Sequence, residues 1–285
     1  MSTVELAPLA LPDFGLPTIE PSVPASTYAA RLKAAWHRAQ AAGLDALVVY
    51  GDREHFANIA YLTGYDPRFE EAMLIVTGDQ QPALLIGNEG WGYAELCPVP
   101  VKRVLYQSFS LLAQPRDRNP RLEQVLRDEG IQHGSRVGTV GWKYFDERES
   151  DSPQTCLEIP SYIADILRDV TGDPALVTNA TPIFMSAADG LRAINDVDQL
   201  AVFEFRATFA SQALRNVIFG LKPGMTEYEA VQLMKLNGIP WSAHLMLSSG
   251  PRAKYGLPSP SMRVIEHGDP LTTALGLWGA LSSRA

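Results

Sequence analysis

Between residues 26 and 178, short β-branched runs alternate with amphipathic stretches, and this alternation restricts the possible fold more than any other feature. The stretch TYAARLKAAWHRAQAAG places Leu32, Ala35, Trp36 and Ala39 on one helical face, with Ser26 ahead of it and Gly43 as its stop. DALVVYG follows as a buried strand, then REHFANIAYLTG as a helix ending in a turn at Gly64. EAMLIVTGDQQPALLIGN reads as two strands joined at Gly78-Asp79, a hairpin. KRVLYQ is a strand and NPRLEQVLRDEG a helix, with Asn119 as its N-cap and Pro120 in its first turn. SRVGTVGW is a further strand and SYIADILRDV a further helix. The fold class expected for this region is α/β.

A second texture begins after residue 195. DVDQLAVFEFRATFASQALRNVIFGL predicts one long helix with Leu200, Phe203, Ala207, Leu214, Val217 and Leu221 near one stripe. KPGMTEYEAVQLMKLNG then supplies a turn and a capping box, Thr226 with Glu229. SAHLMLSSG and PLTTALGLWGA read as strands around a turn-rich stretch, an α+β pattern. The expected organisation is a Pro-rich extended arm over 1–25, a domain over 26–178, a linker over 179–195, and a second domain over 196–285.

Composition excludes some functions. The formal net charge of −8 argues against nucleic-acid partners and anionic membrane surfaces, which require clustered Lys and Arg. No apolar run reaches spanning length, and the N-terminus has no basic stretch ahead of an apolar one. Cys97 and Cys156 fit no metal spacing and read as buried free thiols of a cytoplasmic protein.

Several stretches together resemble the creatinase, prolidase and Xaa-Pro aminopeptidase family. In the first region these are the helix, LDALVV, a polar turn and YLTGY; in the second, GLKPGMTEYEA, HLMLSSGPRA and EHGDPL follow in the family's order. The resemblance implies a ribonuclease-H-like α/β N-terminal domain followed by a pita-bread domain built from two similar halves. Only the first half is recognisable, so the chain is expected to stop on a strand in the middle of that domain. A homodimer is also implied, because the family's active site is shared between subunits.

Family peptidases hold two Mn, Co or Zn ions with two Asp, one His and two Glu. By the resemblance the first Asp falls at Ala274, two residues before Gly276, and the second at or near Ala285. Alanine has no donor atom, so no metal ligand and no cofactor are expected in this chain. Asp269, in HGDP beside His267, reads as a turn carboxylate bonded to a backbone N–H. The family's substrate-contacting His falls at Leu257, which leaves His244 as the candidate catalytic histidine or a strand-edge residue bonded to backbone. Arg252 could take a carboxylate bidentately or stand as a solvated loop arginine. Arg68 and Phe69, in YDPRFEE, are the residue types with which creatinase-like enzymes hold a small substrate; the alternative is a hairpin entry with a buried Phe. Trp91 is a pocket wall or core.

The expected function is that of a creatinase- or Xaa-Pro-peptidase-like C–N bond hydrolase of a metal-independent branch, inactive as this chain and acting on a small molecule or peptide when complete. Creatinase implies such a branch, since it uses His and Glu as acid–base groups. The alternatives are a non-catalytic binding or scaffold member, and a fragment of a dinuclear-metal aminopeptidase.

Overall fold

In the computed structural model, residues 7–8, 15–78 and 80–279 are described. Asp79, part of the expected hairpin turn, and Ala285, at or near which the second metal ligand is expected, lie outside them. The chain divides into two compact units, Val23–Asn195 and Asp196–Ala285, the latter together with Met1–Ser22.

The first unit is built from α1 (Ala25–Ala41), β1 (Ala46–Gly51), α2 (Ala57–Thr63), β2 (Ala72–Val76), β3 (Ala83–Ile86), α3 (Gly90–Tyr93), β4 (Lys102–Leu105), α4 (Leu122–Asp128), β5 (Val137–Val140), α5 (Ser161–Thr171), β6 (Val177–Asn179) and α6 (Pro182–Met185). Its six strands lie in the order β4-β3-β2-β1-β5-β6. β1 pairs with β5, β5 with β6 and β3 with β4 in parallel, whereas β2 is antiparallel to both β1 and β3. A strand covered on both faces must be apolar at every position, and β1 is buried throughout. Its alternate residues enter two different layers. Ala46, Val48 and Tyr50 pack with α4 and α5. Leu47 and Val49 pack with α1, α2 and α6. The result is a three-layer α/β/α unit.

Helix α2 ends at Gly64, whose φ of 71° is the left-handed conformation that a side chain disfavours. Asn119 does not cap α4, whose N-cap is Arg121. Its side chain instead takes the Ser108 N–H at 2.9 Å and donates to Ser108 Oγ at 2.9 Å, joining two loops. Residues 179–195, where the sequence suggests a linker, form the end of β6, α6 and a strapped return. Phe184 is fully buried, Tyr61 donates to the Leu191 carbonyl at 3.1 Å, and Arg38 pairs with Asp189 at 2.7 Å.

Both cysteines are free and half-buried. Burial pushes the Cys97 thiol up to about 11, against the pull of the Arg103 guanidinium. Iodoacetamide at pH 8 should therefore label Cys97 on the order of a hundred times more slowly than an unfolded-chain thiol. Mass spectrometry of the labelled peptides, with and without denaturant, checks this; equal rates would contradict it.

The second unit holds α7 (Val197–Gly220), α8 (Glu227–Gln232), β7 (Trp241–Ser249) and β8 (Leu271–Leu277). Asp196 caps α7 by accepting the Gln199 N–H at 2.8 Å. The buried residues of α7 are Ala210, Ala213 and Val217, whereas Leu200 is 50% exposed. Small residues let the C-terminal half of the helix approach the β7–β8 ribbon closely, so the buried stripe is shorter and smaller than its apolar pattern suggests. The capping box of α8 forms as expected, Thr226 with Glu229. In the antiparallel ribbon, Leu247 opposes Thr273 and Met246 opposes Ala274. Leu245, Leu247, Leu275 and Leu277 face the helices in the core. Of the N-terminal arm, Glu20 forms an ion pair with Arg206 on α7.

Candidate functional site

In the second unit, the segment after β7 is held by one carboxylate. Glu227, first residue of α8, is fully buried because the helix start sits against the end of β7. Its Oε1 accepts the Ser249 N–H at 2.7 Å and the Ser249 hydroxyl at 2.9 Å. Its Oε2 accepts Arg252 Nη1 at 2.7 Å, the Ser261 N–H at 2.9 Å and the Ser261 hydroxyl at 2.6 Å. Burial by itself would raise this carboxyl, but the bonds from Ser261 and Ser249 and the charge of Arg252 prevail and hold it below the usual range. Three points along residues 249–261 are thereby clamped together. A 3-10 turn over Gly250–Tyr255 lies inside that loop.

The carboxylate that Arg252 meets is thus the protein's own. The guanidinium also donates to Ser261 Oγ at 2.5 Å and to the Ser259 carbonyl at 2.9 Å, so it is engaged as a clamp. Glu227 carries no distinguishing sequence signal. It stands two residues before the capping Glu229, and only the tertiary structure makes one carboxylate solvated and the other buried.

His244 is exposed on β7, within the register shift between Ala243 and Met246. A bulge of this kind re-aims side chains. Leu257 is 76% exposed on the clamped loop. Asp269 does bond a backbone N–H, that of Glu266 at 2.9 Å, and it also pairs with Arg263 at 2.7 Å.

Ala274 stands in mid-ribbon opposite Met246, on the face away from the leucine core. A pair of divalent ions needs several oxygen and nitrogen donors converging there, and neither of these residues supplies one that ligates. Among the described residues, no three His, Cys, Asp or Glu side chains come together as a metal-holding group. The residues present do not fit the family's dinuclear centre.

In the first unit, Arg68 has a φ of 61°, unusual for a residue with a side chain. Its N–H is held by Asp66 Oδ1 at 2.8 Å, and its guanidinium bonds the Tyr93 hydroxyl at 3.0 Å. Phe69 beside it is 52% exposed, so it is not the buried Phe of a hairpin entry. Trp91 is 39% exposed, with the Arg103 guanidinium 4.8 Å from its ring centre. Arg68 and Phe69 lie together in one unit; His244 and Arg252 lie in the other.

A further constellation, not legible in the sequence, lies at the carboxyl ends of β1 and β5. Here the strand order changes direction, the usual place for a crevice in an open α/β sheet. Asp52 faces His55 Nδ1 at 3.1 Å, and the His55 ring stacks on Trp142 at 4.6 Å. Buried Asn58 fixes the neighbouring backbone by donating to the Gly141 carbonyl at 2.6 Å.

Residues 31–148 match the family model described as the Creatinase/Prolidase N-terminal domain. No curated protein matches the sequence significantly. Among solved structures, the prolidase from Pyrococcus horikoshii OT3 superposes with a TM-score of 0.60 at 17% identity, over 87% of this chain and 60% of its own. The Xaa-Pro dipeptidase from Bacillus anthracis gives 0.58 at 15%, over 88% and 61%. The X-Pro aminopeptidase from Thermotoga maritima MSB8 gives 0.61 at 14%, over 87% and 61%. The chain therefore spans about three fifths of the length of these structures, and identities this low show the fold alone. Among the described residues, no helix is long and apolar enough to cross a membrane. Residues 31–148 thus match a creatinase/prolidase N-terminal domain, and the mixed sheet and ribbon superpose on prolidases as that domain followed by part of a pita-bread fold.

Proposed function

We propose that this chain is part of a C–N bond hydrolase of the creatinase/prolidase kind whose chemistry does not run on a dinuclear metal centre. The observation that carries this reading is Ala274, which stands without a donor atom at the ribbon position where the family resemblance calls for the first aspartate. A reaction without metal-activated water needs acid–base side chains instead. In this reading the ribbon and the clamped loop form a wall of the reaction site, with exposed His244 as the candidate acid–base group. Arg68 and Phe69 are the candidate contacts to a small molecule or peptide, reaching a second copy in a homodimer.

The test is a hydrolysis assay of the 285-residue chain on an Xaa-Pro dipeptide and on creatine, with Mn²⁺, without it, and with a chelator. No metal-dependent turnover is expected on either substrate. Xaa-Pro cleavage that appears with Mn²⁺ and disappears with the chelator would overturn the reading. A second reading, a recognition module without catalysis, is favoured by the absence of a ligand group among the described residues together with an intact, internally clamped loop. Saturable binding of an uncleaved dipeptide would select it.

A further inference from the structure

A cleft of about 520 Å³ opens between the 3-10 turn that follows β7 and the segment that leads into β8. Its size falls in the range of small-molecule sites, about 300–1,000 Å³. Its walls are joined at two points. The Gly250 N–H donates to the Pro270 carbonyl at 2.9 Å, and Thr272 Oγ1 donates to the Ala253 carbonyl at 2.9 Å. The Arg252–Glu227 pair anchors the turn from behind. Such a cleft loses little freedom when a ligand enters, which favours binding.

The lining has two parts. Pro251, Ala253 and Pro270 offer rigid apolar surface, and Lys254 and Asp269 bring one charge of each sign. The Lys254 ammonium lies 4.9 Å from the Tyr255 ring centre and has no carboxylate within ion-pair distance among the described residues. Asp269 is held in place through Oδ2 alone, by Arg263 at 2.7 Å and the Glu266 N–H at 2.9 Å. Its Oδ1 accepts no hydrogen bond among the described residues. A held carboxylate with one open oxygen, a lysine without an acidic partner and apolar lining in the same cleft match a molecule with an ammonium at one end, a carboxylate at the other and an apolar side chain.

We propose that this cleft binds a free α-amino acid with an apolar side chain, its carboxylate on Lys254 and its ammonium on Asp269 Oδ1. The inference rests on the cleft of the second unit and on no catalytic step. Binding read without turnover therefore fails or succeeds separately from the hydrolase reading.

Isothermal titration calorimetry of the full chain at low ionic strength, with L-leucine as the probe, tests it. Submillimolar affinity is expected for leucine. Leucine amide and N-acetyl-leucine, each lacking one charge, should bind at least about tenfold more weakly. Lys254→Met should weaken leucine by the same factor and make leucine and leucine amide bind alike. Circular dichroism should be unchanged in this variant, because Lys254 is exposed. The proposal is overturned if leucine shows no saturable binding, if the wild-type chain binds either blocked analogue as well as leucine, or if Lys254→Met binds leucine undiminished.

Discussion

Replacing Glu227 with alanine is expected to destabilise the second unit by about 3–5 kcal/mol, the cost of leaving several donors of a buried carboxylate unpaired at about 1–3 kcal/mol each. The carboxylate is fully buried and accepts hydrogen bonds from Ser249, Arg252 and Ser261. Its removal takes the acceptor from two serine hydroxyls and two backbone N–H groups, while Arg252 keeps the Ser261 hydroxyl and the Ser259 carbonyl. Glu227→Gln keeps an oxygen for part of the set and should cost less. Urea unfolding of the full chain, followed by far-UV circular dichroism, measures both. A loss below about 1 kcal/mol for the alanine variant, typical of an exposed pair, would show that the clamp is solvated.

The same group makes stability depend on pH. Its folded-state carboxyl lies below the unfolded value, which is about 4.3 for a glutamate. Its contribution is therefore complete above that value and is lost as pH falls through the lower, folded one. The Glu227→Ala variant should lack this part of the acid sensitivity, so the gap between the two stability curves should narrow at the acid end.

Phe184→Ala is expected to destabilise the first unit by about 3–5 kcal/mol, through lost burial plus a cavity that its neighbours fill only in part. The ring is fully buried and meets Tyr61 edge-on, with centroids 6.5 Å apart. It lies in the segment that the sequence pattern suggests as a linker, where a substitution would cost under about 0.5 kcal/mol. Guanidinium unfolding followed by tryptophan fluorescence distinguishes the two values. A result near zero would return residues 182–192 to the status of a connection.

That segment shows where sequence pattern stops being informative. PIFM is too short for a helical period, and nothing in NATPIFMSAADGLRAIN says that Phe184 fills a gap beside α1 and α2. Asn119 is similar: its position before Pro120 suits a helix cap, yet a loop eleven residues away offers it both a donor and an acceptor. Longer signals fared better. The β-branched run of β1, the glycine after α2 and the capping box of α8 each rest on local backbone physics, and each appears in the structure where the pattern puts it.

At the sites the division is sharper. The lack of a donor at residue 274 is chemistry that a single letter carries, as are the residue types Arg68, Phe69, Arg252 and His244. Partners are not carried by letters. Arg252 meets Glu227 across 25 residues of chain, and Lys254 and Asp269 line one cleft because β7 and β8 pair. The sequence by itself determined the alternation of elements, several of their ends and the lack of a donor atom at residue 274, since periodicity, capping and donor chemistry act within a few residues. Only the tertiary structure decided which carboxylate is buried, which arginine is a clamp and which charges face one cleft. Burial and charge pairing depend on residues that are distant in the chain and adjacent only once it has folded.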